Sequence, residues 1–258
     1  MSAAEGPPLL TREAPGRATI TLNRPRHLNR LHREDLLALQ AQIRDLAADR
    51  ALRVVVLTGR GRAFCAGFNL QELEQQGAAG SDPQLFEHTV DALEALPVPT
   101  VARLNGGVFG GATDLALACD FRVGVQGMEL RMPAARLGLH YYASGLQRYV
   151  SRLGLSAAKR LFLLAETVSA AELLELGYLD HLAAPEALDA AVDALAQSLL
   201  AGAPLALRGM KLSLNEIAGG AWQPAQLRLR ERECAASADL QEGLAAFAAR
   251  RRPRFEGR

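Results

Sequence analysis

Two glycine-rich segments are the residues of this sequence best suited to chemistry. They are TGRGRAFCAGFNL at 58–70 and LNGGVFGGATDLALACD at 104–120. Each follows an apolar stretch and leads into a helical pattern, so each presents backbone N–H groups at a helix N-terminus, where the helix dipole favours an anion. One N–H from each segment could converge on a single oxygen, as an oxyanion hole requires. The alternative is that both are tight turns, for which glycine is the usual residue.

Several common catalytic motifs are absent from the sequence. There is no GxxxxGK followed by Ser or Thr, no GxGxxG after the first strand, no GxSxG and no HExxH. The five histidines form no ligand-like cluster, and the cysteines Cys65, Cys119 and Cys234 include no CxxC spacing. The sequence therefore indicates neither a serine nucleophile, nor metal-dependent hydrolysis, nor a zinc site, nor a disulfide framework.

Alternating strand and helix patterns position the two glycine-rich segments. The predicted strands lie at 17–23, 54–57, 100–104 and 121–125. The predicted helices between them lie at 34–49, 69–75, 84–96 and 110–118, with a loop at 77–83. From about residue 146 the pattern is helical only, at 187–200, 226–236 and 240–251. This order predicts an α/β core at 1–195 and a helical C-terminal region at 196–258.

The composition is that of an ordinary globular chain. The 258 residues are 49% hydrophobic and 22% charged, and the formal net charge of +1 leaves no basic field for nucleic acid. Only Lys159 and Lys211 are lysines among 29 basic residues; codon bias is the simpler explanation, and a polyanionic ligand for a few arginines is the alternative. No secretory signal and no apolar run of roughly 20 residues is present. We therefore expect a cytoplasmic protein with neither nucleic-acid nor membrane partner.

Four groups of residues, in order along 18–255, resemble the crotonase (enoyl-CoA hydratase/isomerase) superfamily. They are NRP at 23–25 with LN at 28–29, GRGRAFCAGFNL, NGGVFGGATDLALACD, and SADLQEGLAAFAARRRPRF at 237–255. The resemblance implies an α/β fold, a crotonase-like spiral of ββα turns, with a helical C-terminal trimerisation region. It also implies an acyl-CoA substrate whose thioester enolate the enzyme stabilises. Coenzyme A is then part of the substrate, and neither a further cofactor nor a metal is expected.

By position, the resemblance assigns the two oxyanion-hole N–H groups to Phe68 and Gly111. The expected substrate-binding residues are Arg26, His27, Leu28, Ala66, Asn69, Leu70, Gly110, Tyr142 and Phe255. Asn69 replaces the usual Asp of its motif, a change expected to stay local because either residue can cap the following helix. Phe255 falls where a C-terminal aromatic of the family approaches the adenine of a neighbouring subunit. The arginines at 250–254 could serve the phosphates of coenzyme A, and a solvated basic helix end is the alternative.

The acid–base groups are incomplete by comparison with the family's hydratases. Hydration needs a group that deprotonates water and a group that delivers a proton to Cα. The hydratases use two glutamates, and the first falls here on Asp114, one methylene shorter. Its alternative role is stabilisation of a helix N-terminus. The second should follow Pro133, where this sequence has Ala134, which carries no proton.

Replacement chemistry is expected from His140, Tyr141 and Tyr142, in the loop that faces the acyl group in the family. Tyr141 falls where methylmalonyl-CoA decarboxylases of the superfamily carry an active-site tyrosine, although Phe68 replaces that subgroup's histidine. Decarboxylation needs less base, because loss of CO₂ produces the enolate directly. The alternative is that the three rings line an apolar acyl pocket.

The sequence thus predicts an enoyl-CoA hydratase/isomerase-like enzyme that stabilises a thioester enolate. Its expected catalytic residues are Phe68, Gly111, Asp114, Tyr141 and His140. Two alternatives stay open: an acyl-CoA decarboxylase of the methylmalonyl-CoA type that uses Tyr141 or His140, and a non-catalytic acyl-CoA-binding protein. A homotrimer or homohexamer is expected.

Overall fold

Two β-sheets dominate the computed structural model of the chain, which describes residues 5–13, 16–73, 82 and 84–258. The large sheet contains, in order across it, β1 (Leu9–Glu13), β2 (Arg17–Leu22), β3 (Val54–Gly59), β5 (Thr100–Leu104), β7 (Phe121–Val125) and β10 (His181–Ala183). The small sheet contains β4 (Ala63–Cys65), β6 (Gly107–Phe109), β8 (Glu129–Arg131) and β9 (Thr167–Ser169). The β1–β2 and β8–β9 pairs are antiparallel, and the other pairs are parallel.

One arrangement repeats three times along the chain: a long strand in the large sheet, a short strand in the small sheet, and a helical turn. The three repeats are β3, β4 and α2 (Leu70–Leu73); β5, β6 and α4 (Ala112–Leu117); and β7, β8 and a 3₁₀ turn (Ala134–Leu137). This is a spiral of ββα turns. Because β4, β6 and β8 run parallel, the chain segments that follow them leave the small sheet at the same edge.

The remaining α-helices lie around the sheets and form the last part of the chain. They are α1 (Arg33–Ala48), α3 (Leu85–Glu94), α5 (Ala143–Lys159), α6 (Ala170–Glu175), α7 (Leu188–Leu200), α8 (Pro204–Ala218), α9 (Pro224–Ala235) and α10 (Ala238–Ala248). Helix α5 is interrupted at Gly154, whose φ is 79°. Within the described residues no single helix is long and apolar enough to cross a membrane; α7, counted from Pro185, reaches that length and hydropathy only together with α8, across a bend of 106°.

The large sheet is covered on both faces, which explains the continuous apolar run at 54–57. In β3, Val55 and Leu57 belong to the main core, whereas Val54 and Val56 pack in a second cluster together with α7. Successive side chains of a strand point to opposite faces, so a strand covered on both sides is apolar throughout. On α7, Leu188, Val192 and Leu199 are buried and Leu195 is half-buried.

The prediction that the chain is purely helical after residue 146 is wrong. Strands β9 and β10 lie in that part, and each has three residues, too few for an alternating pattern to be visible in the sequence. The predicted helix at 110–118 is shorter, because Gly110 and Gly111 belong to the turn before α4. The predicted division at 195/196 falls inside α7. Positions 74 and 75 of the predicted helix, and the predicted loop at 77–83 apart from Asp82, lie outside the described residues.

Candidate active site

The two glycine-rich segments lie side by side, because each follows one of two neighbouring parallel strands, β4 and β6. At Gly67, whose φ is +85°, a methyl group would stand 2.6 Å from the carbonyl oxygen of Phe109 and 3.1 Å from the nitrogen of Gly111. Only glycine permits this approach. As a result, Phe68 and Gly111 line one and the same cavity.

The backbone N–H groups of Phe68 and Gly111 donate to no acceptor in the part of the chain that the structure describes. The turn around them is otherwise well bonded: the N–H of Gly110 donates to the Arg131 carbonyl at 2.9 Å, and the Thr113 hydroxyl donates to the Gly110 carbonyl at 2.7 Å. Two donors without an acceptor therefore stand on the wall of one cavity, and their role as an oxyanion hole stays a prediction.

The cavity has a volume of about 320 Å³ and a predominantly apolar wall. Its apolar residues include Phe68, Phe86, Phe109, Met132, Leu137 and Leu139. Its polar side chains, among the described residues, are Glu87, His140, Tyr141 and Tyr142. Ala134, the residue expected from the sequence to replace a catalytic glutamate, is also on the wall. A cavity of this kind suits a chain of carbon atoms attached to a polar group.

Asp114 lies behind this wall rather than on it. The residue is 0% exposed. Its Oδ2 accepts from Nη1 of Arg148 at 2.7 Å and from the Tyr142 hydroxyl at 2.5 Å, while Oδ1 is bonded to none of the described groups. Burial raises the pKa of Asp114, and the Arg148 guanidinium opposes that rise. The expected base therefore reaches the cavity through Tyr142.

A chain of hydroxyl groups connects the cavity wall to Asp114. The Tyr141 hydroxyl donates to the Tyr142 hydroxyl at 3.2 Å, and the two rings stack with centroids 4.3 Å apart. Burial, and next the negative charge of Asp114, raise the pKa of both phenols, which keeps them neutral and able to donate. His140 is exposed, and its Nδ1 donates to the Tyr141 carbonyl at 2.8 Å.

The residues expected to hold coenzyme A lie beside the first glycine-rich segment. The N–H of Ala66 donates to the Leu28 carbonyl at 2.8 Å. Arg26 and His27, in the turn immediately before Leu28, are both exposed. The remaining two members of the group, Asn69 and Leu70, enter α2. Asn69 Oδ1 accepts from the N–H of Gln71 at 3.3 Å, which is a helix cap, and of Leu70 only the backbone is described.

Phe255 and the arginines near it do not line the cavity of their own chain. The ring of Phe255 packs against α10 at Gly243, where a methyl group would stand 3.5 Å from it. Arg251 is held by Glu242 at 2.6 Å. The predicted contact of Phe255 with the adenine of a neighbouring subunit concerns a second chain and stays a prediction.

Two residues of this site, Glu87 and Arg148, were missed in the sequence. Glu87 comes from α3 and lies on the cavity wall. Arg148 comes from α5, is 1% exposed at its side chain and holds Asp114, Asp91 and Glu94 together. The available signal was the spacing of the α3 carboxylates, at i, i+4 and i+7 on one face of the helix.

In the described residues, no three His, Cys, Asp or Glu side chains form a group that could hold a metal ion. Cys65 and Cys119 are buried and unpaired, and burial raises the pKa of each thiol to about 12. Both thiols therefore stay protonated and unreactive.

Comparison with known proteins identifies the family of this chain. The family described as enoyl-CoA hydratase/isomerase matches residues 13–258. The chain belongs to this family. The predicted superfamily and the predicted α/β spiral are thereby confirmed, and the chain is an acyl-CoA enzyme of the hydratase/isomerase type. The trimerisation role of the C-terminal helices stays a prediction.

Relatives of this hydratase/isomerase family member span nearly its whole length. The human mitochondrial enoyl-CoA hydratase domain-containing protein 2 is 35% identical over 257 residues, covering 94% of this chain and 86% of the relative. The 2,3-dehydroadipyl-CoA hydratase of Escherichia coli is 32% identical over 246 residues, covering 93% and 94%. A crystal structure of an enoyl-CoA hydratase from Bacillus anthracis superposes with a TM-score of 0.86 at 29% identity, covering 98% and 100%.

Proposed function

We infer that this enzyme moves a proton at Cα of an enoyl-CoA thioester, the step shared by hydration and double-bond isomerisation. The thioester oxygen would accept hydrogen bonds from the N–H groups of Phe68 and Gly111, and the acyl chain would occupy the aromatic cavity. The observation that supports this most directly is the pair of unused N–H donors on the wall of one apolar cavity. Such donors stabilise the negative charge that develops on the oxygen of an enolate.

A decarboxylase is the second candidate, and two residues of the wall favour it. Ala134 cannot transfer a proton, and the phenol of Tyr141 is a neutral donor on the same wall. A donor of this kind would orient a carboxylate on the substrate, and the departure of CO₂ would leave the enolate between Phe68 and Gly111. The hydratase/isomerase is preferred over the decarboxylase because the cavity wall also carries a carboxylate, that of Glu87.

A mass-spectrometric screen distinguishes these candidates. The enzyme is incubated in D₂O with crotonyl-CoA, 3-butenoyl-CoA, butyryl-CoA and methylmalonyl-CoA. We expect deuterium at Cα of 3-butenoyl-CoA and butyryl-CoA, because the held enolate makes the proton on their saturated Cα exchangeable. Crotonyl-CoA, whose Cα carries the double bond, should instead gain water or shift its double bond. Loss of CO₂ from methylmalonyl-CoA without exchange in the others would favour the decarboxylase. If every thioester binds and none changes, the protein is an acyl-CoA-binding protein and the inference fails.

The exposed turn around Arg26 and His27 is the proposed binding place for coenzyme A, next to Ala66. No cofactor other than the coenzyme A of the substrate is proposed, and a cytoplasmic location stays our proposal. The C-terminal helices would serve assembly. Their exposed apolar side chains are Met210, Leu212, Leu214, Ile217, Leu229, Leu240, Leu244 and Phe247, the last being 86% exposed. So many exposed apolar groups on one region are typical of a surface that another subunit covers.

We therefore expect a homotrimer or homohexamer in solution. Sedimentation equilibrium should give three or six times the monomer mass of 27.6 kDa. Replacing Phe247 and Leu244 by serine should weaken the assembly, because it removes apolar area from the proposed interface. The matched control replaces Leu9, an exposed residue of β1, and should leave the mass unchanged. A monomer at micromolar concentration would contradict the assembly role.

A further inference from the structure

Helix α3 contributes a carboxylate to the wall of the cavity that Ala134 also lines. Glu87 is the carboxylate that the cavity wall carries, within the described residues. It stands in the first turn of α3, where the helix dipole favours its negative charge. A glutamate in the first turn of a helix needs no further explanation when it is exposed at the surface. Glu87, however, is half-buried and faces an apolar cavity.

The partners of Glu87 differ from those of the other carboxylates on the same helix face. Asp91 and Glu94 pair with Arg148 at 2.7 and 3.0 Å, and Glu94 also pairs with Arg152 at 2.8 Å. Glu87 has no cationic partner in the described part of the chain. Its single hydrogen bond there comes from the Ser144 hydroxyl, which donates to Oε1 at 3.2 Å. One oxygen is therefore oriented by α5, and Oε2 remains available to a ligand in the cavity.

Asp114 cannot contact a ligand in the cavity directly. Tyr142 lies on the cavity wall in front of it, and Arg148 ties it to α5. Its carboxylate is fully buried, and Tyr142 and Arg148 already donate to its Oδ2. Ala134 carries no titratable group. By elimination among the described wall residues, Glu87 is the anionic group that can contact the carbon chain of a bound thioester.

We propose that Glu87 is the base that removes the Cα proton of the acyl-CoA substrate, an inference that rests on the proposed function. The Cα–H bond breaks, its electron pair forms the enolate, and the enolate oxygen is held by the N–H groups of Phe68 and Gly111. The proton is then on Glu87 Oε2. If the carboxyl first trades this proton for one from solvent and then delivers that proton to Cα, the result is exchange. If the carboxyl delivers a proton to Cγ of an unsaturated chain, the double bond moves. Both routes balance without any co-reactant.

The test measures deuterium exchange at Cα of butyryl-CoA in D₂O for wild type, Glu87→Gln, Glu87→Ala and the control Glu175→Gln. Glu175 is an exposed carboxylate at the end of α6. We expect Glu87→Gln to slow exchange by about 10²–10⁴-fold, the usual contribution of a positioned acid–base group, and to leave butyryl-CoA affinity unchanged. The control should exchange at the wild-type rate.

Chemical rescue separates catalysis from a structural role of Glu87. Glu87→Ala leaves space beside the cavity, so added formate should restore part of its exchange rate. Glu87→Gln fills that space with an amide, and formate should not restore it. Exchange by Glu87→Gln at the wild-type rate, or no effect of formate on Glu87→Ala, would overturn the proposal for Glu87 alone. If wild type itself exchanges no Cα proton, the proposed function fails with it.

Discussion

Gly111→Pro should lower turnover of every accepted acyl-CoA by about 10²–10³-fold relative to Gly111→Ala. Proline removes the N–H of residue 111, and loss of one oxyanion donor has an effect of this size. The backbone tolerates the change at this residue, because Gly111 has φ −57° and ψ −23°, close to the angles that proline adopts. The affinity for coenzyme A should stay similar, since its proposed binding place, around Arg26 and His27, does not include residue 111.

Alanine is the necessary reference at this position. Any Cβ on residue 111 would stand 2.6 Å from the far edge of the Phe86 ring, so both variants push the same ring. Only proline also loses the donor. In steady-state kinetics on one thioester, the ratio of the two turnover numbers then measures the replacement of the N–H by the proline Cδ. Equal turnover in the two variants would contradict the assignment of Gly111 to the oxyanion hole.

Arg148→Met should destabilise the protein by about 3–5 kcal/mol at pH 7, because it leaves the buried carboxylate of Asp114 without its cation. The loss should be smaller in acid. Burial raises the pKa of Asp114, and Arg148 is the group that opposes this rise, so in the variant the folded protein holds this proton to a higher pH. The unfolded chain releases the proton first as the pH rises, so stability falls with rising pH through that interval.

Urea unfolding at pH 7 and in mild acid, at one protein concentration, measures this effect. Arg148→Met combined with Asp114→Asn should be more stable than Arg148→Met alone, because the uncompensated charge is gone. The matched control is Arg251→Met, whose ion pair with Glu242 is at the surface and should contribute nothing measurable. A double variant no more stable than Arg148→Met would show that Asp114 is not the source of the loss.

The glycine-rich turns illustrate what could be predicted from sequence in this protein. The features of these turns can be seen in short stretches of sequence. Glycine at Gly67 and Gly111 indicates close contacts, and the apolar runs before the turns indicate strands that are buried on both faces. The order of strand and helix then brings both turns to one sheet edge. Family, fold class and the common location of Phe68, Tyr141 and Tyr142 therefore followed from short stretches of chain.

What could not be predicted depends on residues far apart in the chain. Asp114 has the register expected of a base, but its burial and its pairing depend on Arg148, 34 residues later, on another helix. Glu87 is an unremarkable helix residue until α3 is placed against the cavity. The short strands β9 and β10 exist because neighbouring strands β8 and β7 supply their hydrogen-bond partners, a cause that three residues of sequence do not carry.

The ring of Phe86 occupies the space that a side chain at residue 111 would need, and it also lies 6.1 Å from the Phe68 ring and 6.2 Å from the Tyr142 ring. The width of the cavity and the need for glycine at residue 111 are therefore coupled, because both depend on the ring of Phe86. A smaller side chain at residue 86 would admit a bulkier acyl group, and it would also leave room for a side chain at residue 111. Substitutions at the two sites should appear together and be non-additive, because they share one volume.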